Sequence, residues 1–172
     1  MYWFKELSVH KGGEKQAFVS FYPGLNLILG PSDTGKTLIF QCLDFLLGAK
    51  EHPKSPLPRY DSVDAALSTN AGLLSLSRSL APRQTPLSVA GRGEEYPRKQ
   101  IGAFWFKILG LSNPNIQVIA KSNGKREKLS WRKIAKLFVV RDKRFLSDSI
   151  FVGNVYNARQ YPRVVTLPFN PK

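Results

Sequence analysis

The sequence predicts an α/β fold, and three features of its first 50 residues carry this prediction. Strand-like runs cover Trp3 to His10, Ala17 to Phe21 and Leu25 to Leu29. The third run is almost continuously apolar, which is typical of a buried central strand. A glycine-rich loop follows it, and apolar side chains then recur at helical spacing over 36–47, ahead of Gly48, a typical helix stop. Strands, loop and helix in this order predict an α/β unit.

Hairpins, loops and helices are predicted downstream. The run from Ala65 to Leu80 predicts a hairpin that turns at residues 70–72. Two stretches, 50–60 and 81–97, contain the Pro, Gly or Lys residues typical of loops. Pro97 suits the first turn of a helix that ends near Leu109, and its inward side chains are predicted to be Ile101, Phe104, Trp105 and Ile108.

A second hairpin and a third helix are predicted in the last third of the chain. The runs 116–120 and 125–129 flank a Ser122-Asn123-Gly124 turn. Ser130 suits the cap of a helix that begins at Trp131 and ends near Val139.

The composition narrows the class of protein. The chain has 172 residues, 42% of them apolar, which suffices for one domain or for part of a larger one. No apolar run approaches the roughly 20 residues that span a bilayer, so no membrane partner is expected. The N-terminus lacks the pattern of a secretory signal, and the single cysteine, Cys42, fits a reducing compartment. We therefore expect a cytoplasmic protein with Cys42 in its core.

Positive charge is concentrated in the last third of the chain. The whole sequence has a formal net charge of +14, from 26 basic and 12 acidic side chains. Residues 121–172 hold 13 of the basic and 3 of the acidic ones, a net charge of +10. This distribution predicts either a solvated surface opposite an acidic partner or a surface that contacts a phosphate backbone. The candidate nucleic-acid contacts are Lys125, Arg126, Lys128, Arg132, Lys133 and Lys136.

One motif carries specific chemistry. Its residues are Gly30, Pro31, Ser32, Asp33, Thr34, Gly35, Lys36 and Thr37, which match G-x-x-x-x-G-K-[ST]. A loop of this kind between a strand and a helix points its backbone N–H groups at phosphate oxygens. Lys36 would reach the β- and γ-phosphates of a nucleotide, and Thr37 would ligate Mg²⁺. Leu38 completes the predicted nucleotide-binding set.

The stretch from Trp3 to Ala49 resembles the N-terminal lobe of ABC-type ATPase heads of the SMC, RecF, RecN and SbcC group. Those heads open with a strand, a glycine-containing loop, a second strand and a turn. A strand similar to Leu25-Asn26-Leu27-Ile28-Leu29 then leads into the phosphate loop, and the next helix ends much as residues 43–48 do here. The predicted hairpin that contains Leu76 to Leu80 is similar to the strand pair that follows this helix in the family. The resemblance is specific over the first 50 residues and looser to about residue 150.

The resemblance implies a P-loop NTPase fold with a mixed sheet, β-hairpins and a few helices. The head lobe would cover residues 1–150, and 151–172 would form an irregular extension that leads to a missing or separate second half. ATP and Mg²⁺ are the implied cofactors, and a second lobe or chain in a head-to-head dimer is the implied protein partner. The implied function is work on DNA in repair, chromosome maintenance or anti-phage defence.

Departures from the family pattern bear on catalysis. Ser32-Asp33-Thr34 replaces the usual Asn-Gly-x, and Asp33 adds a negative charge beside the phosphate site. Where the family has a glutamine loop, the sequence has Val140-Arg141-Asp142, of which Asp142 is a candidate Mg²⁺ contact through water. Neither the Leu-Ser-Gly-Gly signature nor the acidic strand is recognisable. We therefore expect ATP hydrolysis to need a second lobe.

Two other functions fit the same motif. A small nucleotide kinase has a similar phosphate loop, although kinases generally place it after the first strand rather than the third. A non-catalytic module would hold nucleotide only to dock a partner chain, and the missing acidic strand favours it.

Several single residues have predicted environments. Arg78 is expected to be exposed on its strand. His10 and His52 lack metal-ligand spacing, and His10 is expected to be structural. The three tryptophans, Trp3, Trp105 and Trp131, are predicted core anchors rather than platforms for stacked bases.

Overall fold

The computed structural model describes residues 2–31, 34–53, 60–81, 85–111, 117–119 and 126–138. The chain forms two compact units, Met1–Ser112 and Asn113–Lys172, and each is described by itself. Both combine β-strands with α-helices, which confirms the predicted α/β class.

A six-stranded sheet with the spatial order β2-β1-β3-β4-β5-β6 forms the frame of the first unit. Its strands are β1 (Trp3–Lys11), β2 (Glu14–Ser20), β3 (Ser62–Thr69), β4 (Gly72–Ser79), β5 (Leu87–Ala90) and β6 (Glu94–Tyr96). Every described pairing is antiparallel, so the mixed sheet that was expected is not found among these strands. The β3–β4 hairpin turns where the sequence predicts it.

Two helices accompany this sheet. The first, α1 (Lys36–Leu46), lies against β1, β3 and β4, and the second, α2 (Ile101–Ile108), follows a short 3₁₀ turn at Arg98–Gln100. Both helices lie where the apolar periodicity predicts them. Of all the helices in the described ranges, none is both long and apolar enough to cross a membrane.

The core lies between one face of the sheet and the helices. Leu7, Ala65, Leu76 and Val89 are cross-strand neighbours on that face, and each is at most 4% exposed. A fully buried side chain of leucine size contributes about 1.5–3 kcal/mol to folding. The helices add the buried side chains of Phe45, Leu46, Ile101, Phe104 and Trp105. This packing confirms Trp105 as a core residue.

The opposite face of the sheet is polar. Ser8, Asp64 and Ser77 are direct neighbours across β1, β3 and β4. The Ser77 hydroxyl donates a 2.6 Å hydrogen bond to Asp64 Oδ1, and His10 Nε2 lies 3.3 Å from Asp64 Oδ2. These contacts give His10 the structural role that the sequence predicts.

The stretch 81–97, predicted as a loop, contains strands β5 and β6. Leu87 is fully buried and Val89 is 2% exposed, because both side chains point from β5 into the core. Gly91 and Gly93 have positive φ angles of 81° and 63° and form the turn between the two strands. The loop prediction was wrong because these glycines belong to a tight turn and not to a long connection.

The segment Leu25 to Leu29, predicted as a buried central strand, is neither paired nor buried. It belongs to neither described sheet, and Leu25, Leu27 and Leu29 are 96%, 75% and 79% exposed. Ile28 is half-buried. The prediction was wrong because burial of a central strand requires neighbouring strands, and none of the described strands lies beside this segment. Residues 25–29 are called the exposed segment below.

The second unit contains a short hairpin and one helix within its described residues. Strands β7 (Gln117–Ile119) and β8 (Arg126–Lys128) pair antiparallel, and α3 spans Trp131–Phe138. Both elements lie where the sequence predicts them. Trp131 is 4% exposed, which confirms it as a buried anchor, whereas Trp3 in the first unit is half-buried.

Candidate functional site

The glycine-rich loop connects the exposed segment to the N-terminus of α1, and its residues 30, 31 and 34–37 are described. Gly35 is the N-cap of α1 with a φ of 86°, a left-handed conformation that would strain any other side chain. A Cβ at Gly30 would lie 3.1 Å from Thr34 Oγ1, so glycine lets the loop close tightly. Both motif glycines therefore serve the backbone path of the loop.

The N-terminal end of α1 is arranged to receive an anion. No described side chain caps this end, and the first turn contains no acidic residue. The Ile39 N–H donates to the Gly35 carbonyl at 3.2 Å, so the N–H groups before it point out of the helix end. These N–H groups and the positive end of the helix dipole attract phosphate or carboxylate groups.

Lys36, the lysine of the motif, folds back over the loop. Its Nζ donates hydrogen bonds to the Gly30 carbonyl at 2.7 Å, to the Pro31 carbonyl, and to Thr34 Oγ1 at 3.2 Å. The Thr34 hydroxyl in turn donates to the Pro31 carbonyl at 2.9 Å. The loop therefore holds its lysine with its own oxygen atoms.

Thr37 supplies a hydroxyl at the same end of α1. It is the second residue of the helix and is exposed, so the hydroxyl is accessible to a metal ion. Mg²⁺ accepts hydroxyl and phosphate oxygens while it keeps several waters. Within the described ranges, no group of three or more His, Cys, Asp or Glu residues could hold a metal. The Thr37 hydroxyl is therefore the described group at this end that could ligate Mg²⁺.

Other predicted residues of this site are described only in part. Leu38 is half-buried on α1. Ser32 and Asp33 of the loop and the candidate metal contact Asp142 lie outside the described residues.

Five of the six candidate nucleic-acid contacts lie on described elements of the second unit. Arg126 and Lys128 belong to β8, and Arg132, Lys133 and Lys136 belong to α3. Lys128 and Lys133 are exposed and Arg132 is half-buried, whereas Lys125 lies outside the described residues. Basic residues thus occupy two consecutive elements of this unit.

Arg78, predicted to be exposed, is almost fully buried. It is 2% exposed, and its guanidinium lies 3.9 Å from the centroid of the Phe45 ring. Nη1 donates to the Phe45 carbonyl at 2.5 Å and to the Ala49 carbonyl at 3.2 Å, and Nε donates to the Thr85 carbonyl at 3.3 Å. The alternation of side chains along β4 could have indicated this burial. Arg78 follows the buried Leu76 by two residues and therefore lies on the same face of the sheet.

Cys42 lies on the buried face of α1. It is 2% exposed, and burial raises the pKa of its thiol from 9.0 to about 12. The prediction of a small core residue is confirmed, and the group is a neutral thiol at physiological pH.

A glycine-rich loop at an open helix N-terminus is typical of P-loop-type ATPase domains. A family model described as an AAA domain matches residues 8–154. The chain belongs to this family of AAA domains, and nucleotide binding and ATPase-like function follow from that membership. Among curated proteins, the chain has no match.

Proposed function

We propose that the chain is the ATP-binding lobe of an SMC/RecN-like ATPase that acts on DNA and needs a second lobe for hydrolysis. One observation carries the proposal: the exposed segment leads directly into the phosphate loop and presents three uncovered leucines. In the proposed protein, this segment would form a strand beside a neighbouring strand of a second lobe.

ATP binding uses α1 and the loop before it. The N–H groups of the loop and of the first helical turn would cradle the phosphates, and Lys36 would exchange the loop carbonyls for the β- and γ-phosphates. Thr37 would hold Mg²⁺, which would supply positive charge at the phosphates. Lys36 and Thr37 both lie in the first turn of α1.

Completion by a second lobe follows from the leucines of the exposed segment. Leu25, Leu27 and Leu29 recur at every second residue and are exposed, so in a strand their side chains would share one face. Burial would contribute about 1.5–3 kcal/mol for each leucine. A strand of the second lobe that pairs with this segment gains those contacts together with backbone hydrogen bonds. The same lobe supplies the acidic residue that orients water, because no acidic strand is recognisable in the sequence.

Binding to DNA is supported by charge in the second unit. Residues 121–172 have a net charge of +10, and Lys128 and Lys133 are exposed. Such a surface attracts a phosphate backbone by releasing counterions, so affinity should fall steeply as salt rises. The expected result is a steep salt dependence that becomes shallower when Arg132, Lys133 and Lys136 are changed to Glu. Binding that is absent or insensitive to salt would remove DNA from the proposal.

Nucleotide binding and hydrolysis by the purified chain test the ATP-binding part. The wild-type chain should bind fluorescently labelled ATP with Mg²⁺ and hydrolyse little of it. Lys36→Ala should lose binding, because it removes the ammonium that meets the phosphates. Lys133→Ala, at an exposed lysine of the second unit, is the matched control and should bind normally. Rapid hydrolysis by the chain alone, abolished by Lys36→Ala, would refute the need for a second lobe.

A nucleotide kinase and a non-catalytic docking module are the competing functions. Strands β1 and β2 precede the phosphate loop here, an order that disfavours a kinase. Phosphoryl transfer from ATP to a nucleoside monophosphate would establish the kinase. Nucleotide-dependent association with a partner, without turnover, would establish the docking module.

The proposal extends to assembly and location. A head-to-head dimer places two completed heads around their nucleotides, and the cytoplasm is the proposed compartment. The head lobe is proposed to cover residues 1–150, with 151–172 leading to the second half. Service in DNA repair, chromosome maintenance or anti-phage defence is the proposed biological setting.

A further inference from the structure

We infer that Arg78 is a positioning residue for the phosphate loop: it fixes the C-terminal end of α1 so that the opposite end stays aimed at the nucleotide phosphates. The inference rests on the proposed nucleotide binding, but it concerns a residue of β4 that lies outside the motif. Arg78 acts through the helix, because α1 has 11 residues and separates its two ends by about 16 Å.

The last turn of α1 is completely hydrogen-bonded. A helix leaves its last four carbonyls without partners inside the helix. Here the carbonyls of residues 43–45 accept the N–H groups of residues 47–49, each at 2.9 Å. The Leu46 carbonyl accepts a hydrogen bond from Trp105 Nε1 at 3.2 Å, so α2 also holds this end. Arg78 adds a second bond to the Phe45 carbonyl and one to Ala49 beyond the helix.

Arg78 also supplies the charge that suits this end of the helix. The C-terminal end of a helix dipole is negative, and the last turn of α1 contains no basic residue of its own. The Arg78 guanidinium, brought in from β4, stacks on the Phe45 ring of that turn. The cation at one end and the phosphates proposed at the other both match the direction of the dipole.

The anchor is firm because Arg78 belongs to an inner strand of the sheet. Strand β4 pairs with β3 on one side and with β5 on the other. Arg78 also donates to the Thr85 carbonyl, which precedes β5. A helix fixed to the sheet at one end carries that orientation to the loop at its other end. A shift of about 1 Å at a binding group costs up to roughly 100-fold in function, so a small tilt of α1 suffices to weaken phosphate binding.

The test compares Arg78→Met and Arg78→Lys with the control Arg92→Met, which makes the same chemical change at an exposed turn residue. Affinity for fluorescently labelled ATP is measured well below each unfolding temperature. Arg78→Met should raise the Kd roughly 10- to 100-fold. Arg78→Lys should have a smaller effect, because a lysine keeps the charge but lacks the planar fork that reaches several carbonyls. Arg92→Met should bind like the wild type.

Amide hydrogen exchange distinguishes a positioning role from a general contribution to stability. Arg78→Met should accelerate exchange at Ile39 and Phe40, the first hydrogen-bonded amides at the far end of α1, and leave the paired amides of β3 and β4 at wild-type rates. Wild-type affinity in folded Arg78→Met would overturn the inference. Equal acceleration in β3, β4 and α1, or failure of both Arg78 variants to fold, would also overturn it, since Arg78 would then serve general stability.

The failure of this inference is distinguishable from failure of the proposed function. If the wild-type chain does not bind labelled ATP, the proposed nucleotide binding fails. The exchange rates at Ile39 and Phe40 then still decide whether Arg78 fixes the N-terminal end of α1. If the wild-type chain binds ATP and folded Arg78→Met binds it equally well, only the positioning role fails.

Discussion

Strand β4 and the exposed segment share an alternation of leucines but bury them to opposite extents. On β4, Leu74 and Leu76 are 7% and 1% exposed, whereas Leu25 and Leu27 are 96% and 75% exposed. Strand β4 has a paired strand on each side and α1 against it, and the exposed segment has no described strand beside it. Alternation thus decides which side chains share a face, and neighbours decide whether that face is buried.

Leu76→Ala should produce the largest effect on this contrast. The side chain lies between Ala65 and Val89 on the buried face of the sheet. Its loss leaves a cavity and should lower the free energy of unfolding by about 2–5 kcal/mol. Chemical denaturation of the purified chain measures the change. A loss below about 1 kcal/mol would show that the side chains of β4 are packed as loosely as those of the exposed segment.

Cys42→Ala should have an effect of intermediate size. It should change how the free energy of unfolding depends on pH. The folded thiol has its pKa raised from 9.0 to about 12, so above pH 9 the unfolded chain loses this proton while the folded chain keeps it. Stability from the neutral thiol is therefore complete below pH 9 and falls towards pH 12, by about 1.4 kcal/mol at pH 10.

The measurement compares the free energies of unfolding at pH 8 and pH 10 in the two proteins. The wild type should lose about 1.4 kcal/mol more than Cys42→Ala over this interval, because the variant lacks the thiol. An identical loss in both would mean that water reaches the Cys42 side chain.

Leu27→Ala should have the smallest effect on the isolated chain. An exposed side chain makes few contacts, so the free energy of unfolding should change by less than about 0.5 kcal/mol. Denaturation under the conditions used for Leu76→Ala gives a direct comparison of the same substitution in the two settings. A loss of more than about 2 kcal/mol would contradict the exposure of Leu27. It would also remove the support that the exposed segment gives to a second lobe.

Local sequence patterns predicted the elements whose signals lie within a few residues. The periodicity of α1 and Gly48 after it located the first helix, and the turn at residues 70–72 located the β3–β4 hairpin. The glycine-rich loop could also be located from the sequence. Its glycines, lysine and threonine at fixed spacing specify a local backbone path and do not depend on a distant contact.

Predictions that depended on distant neighbours were wrong. Burial of the exposed segment required a strand beside it, and no property of its five residues states whether that strand exists. The burial of Arg78 depends on the Phe45 carbonyl, 33 residues earlier in the chain. The charge of Arg78 predicts exposure, whereas its burial follows from partners that only the packing of α1 on the sheet brings together.

The hydrogen bonds of Lys36 to the loop would make the proposed phosphate binding an exchange reaction. Its ammonium already holds the Gly30 and Pro31 carbonyls and the Thr34 hydroxyl, so an arriving phosphate competes with these oxygens for the same three N–H donors. The net affinity is the difference between two sets of hydrogen bonds and is smaller than a count of phosphate contacts suggests. A ligand with several phosphate oxygens would replace more of these hydrogen bonds than a single anion would.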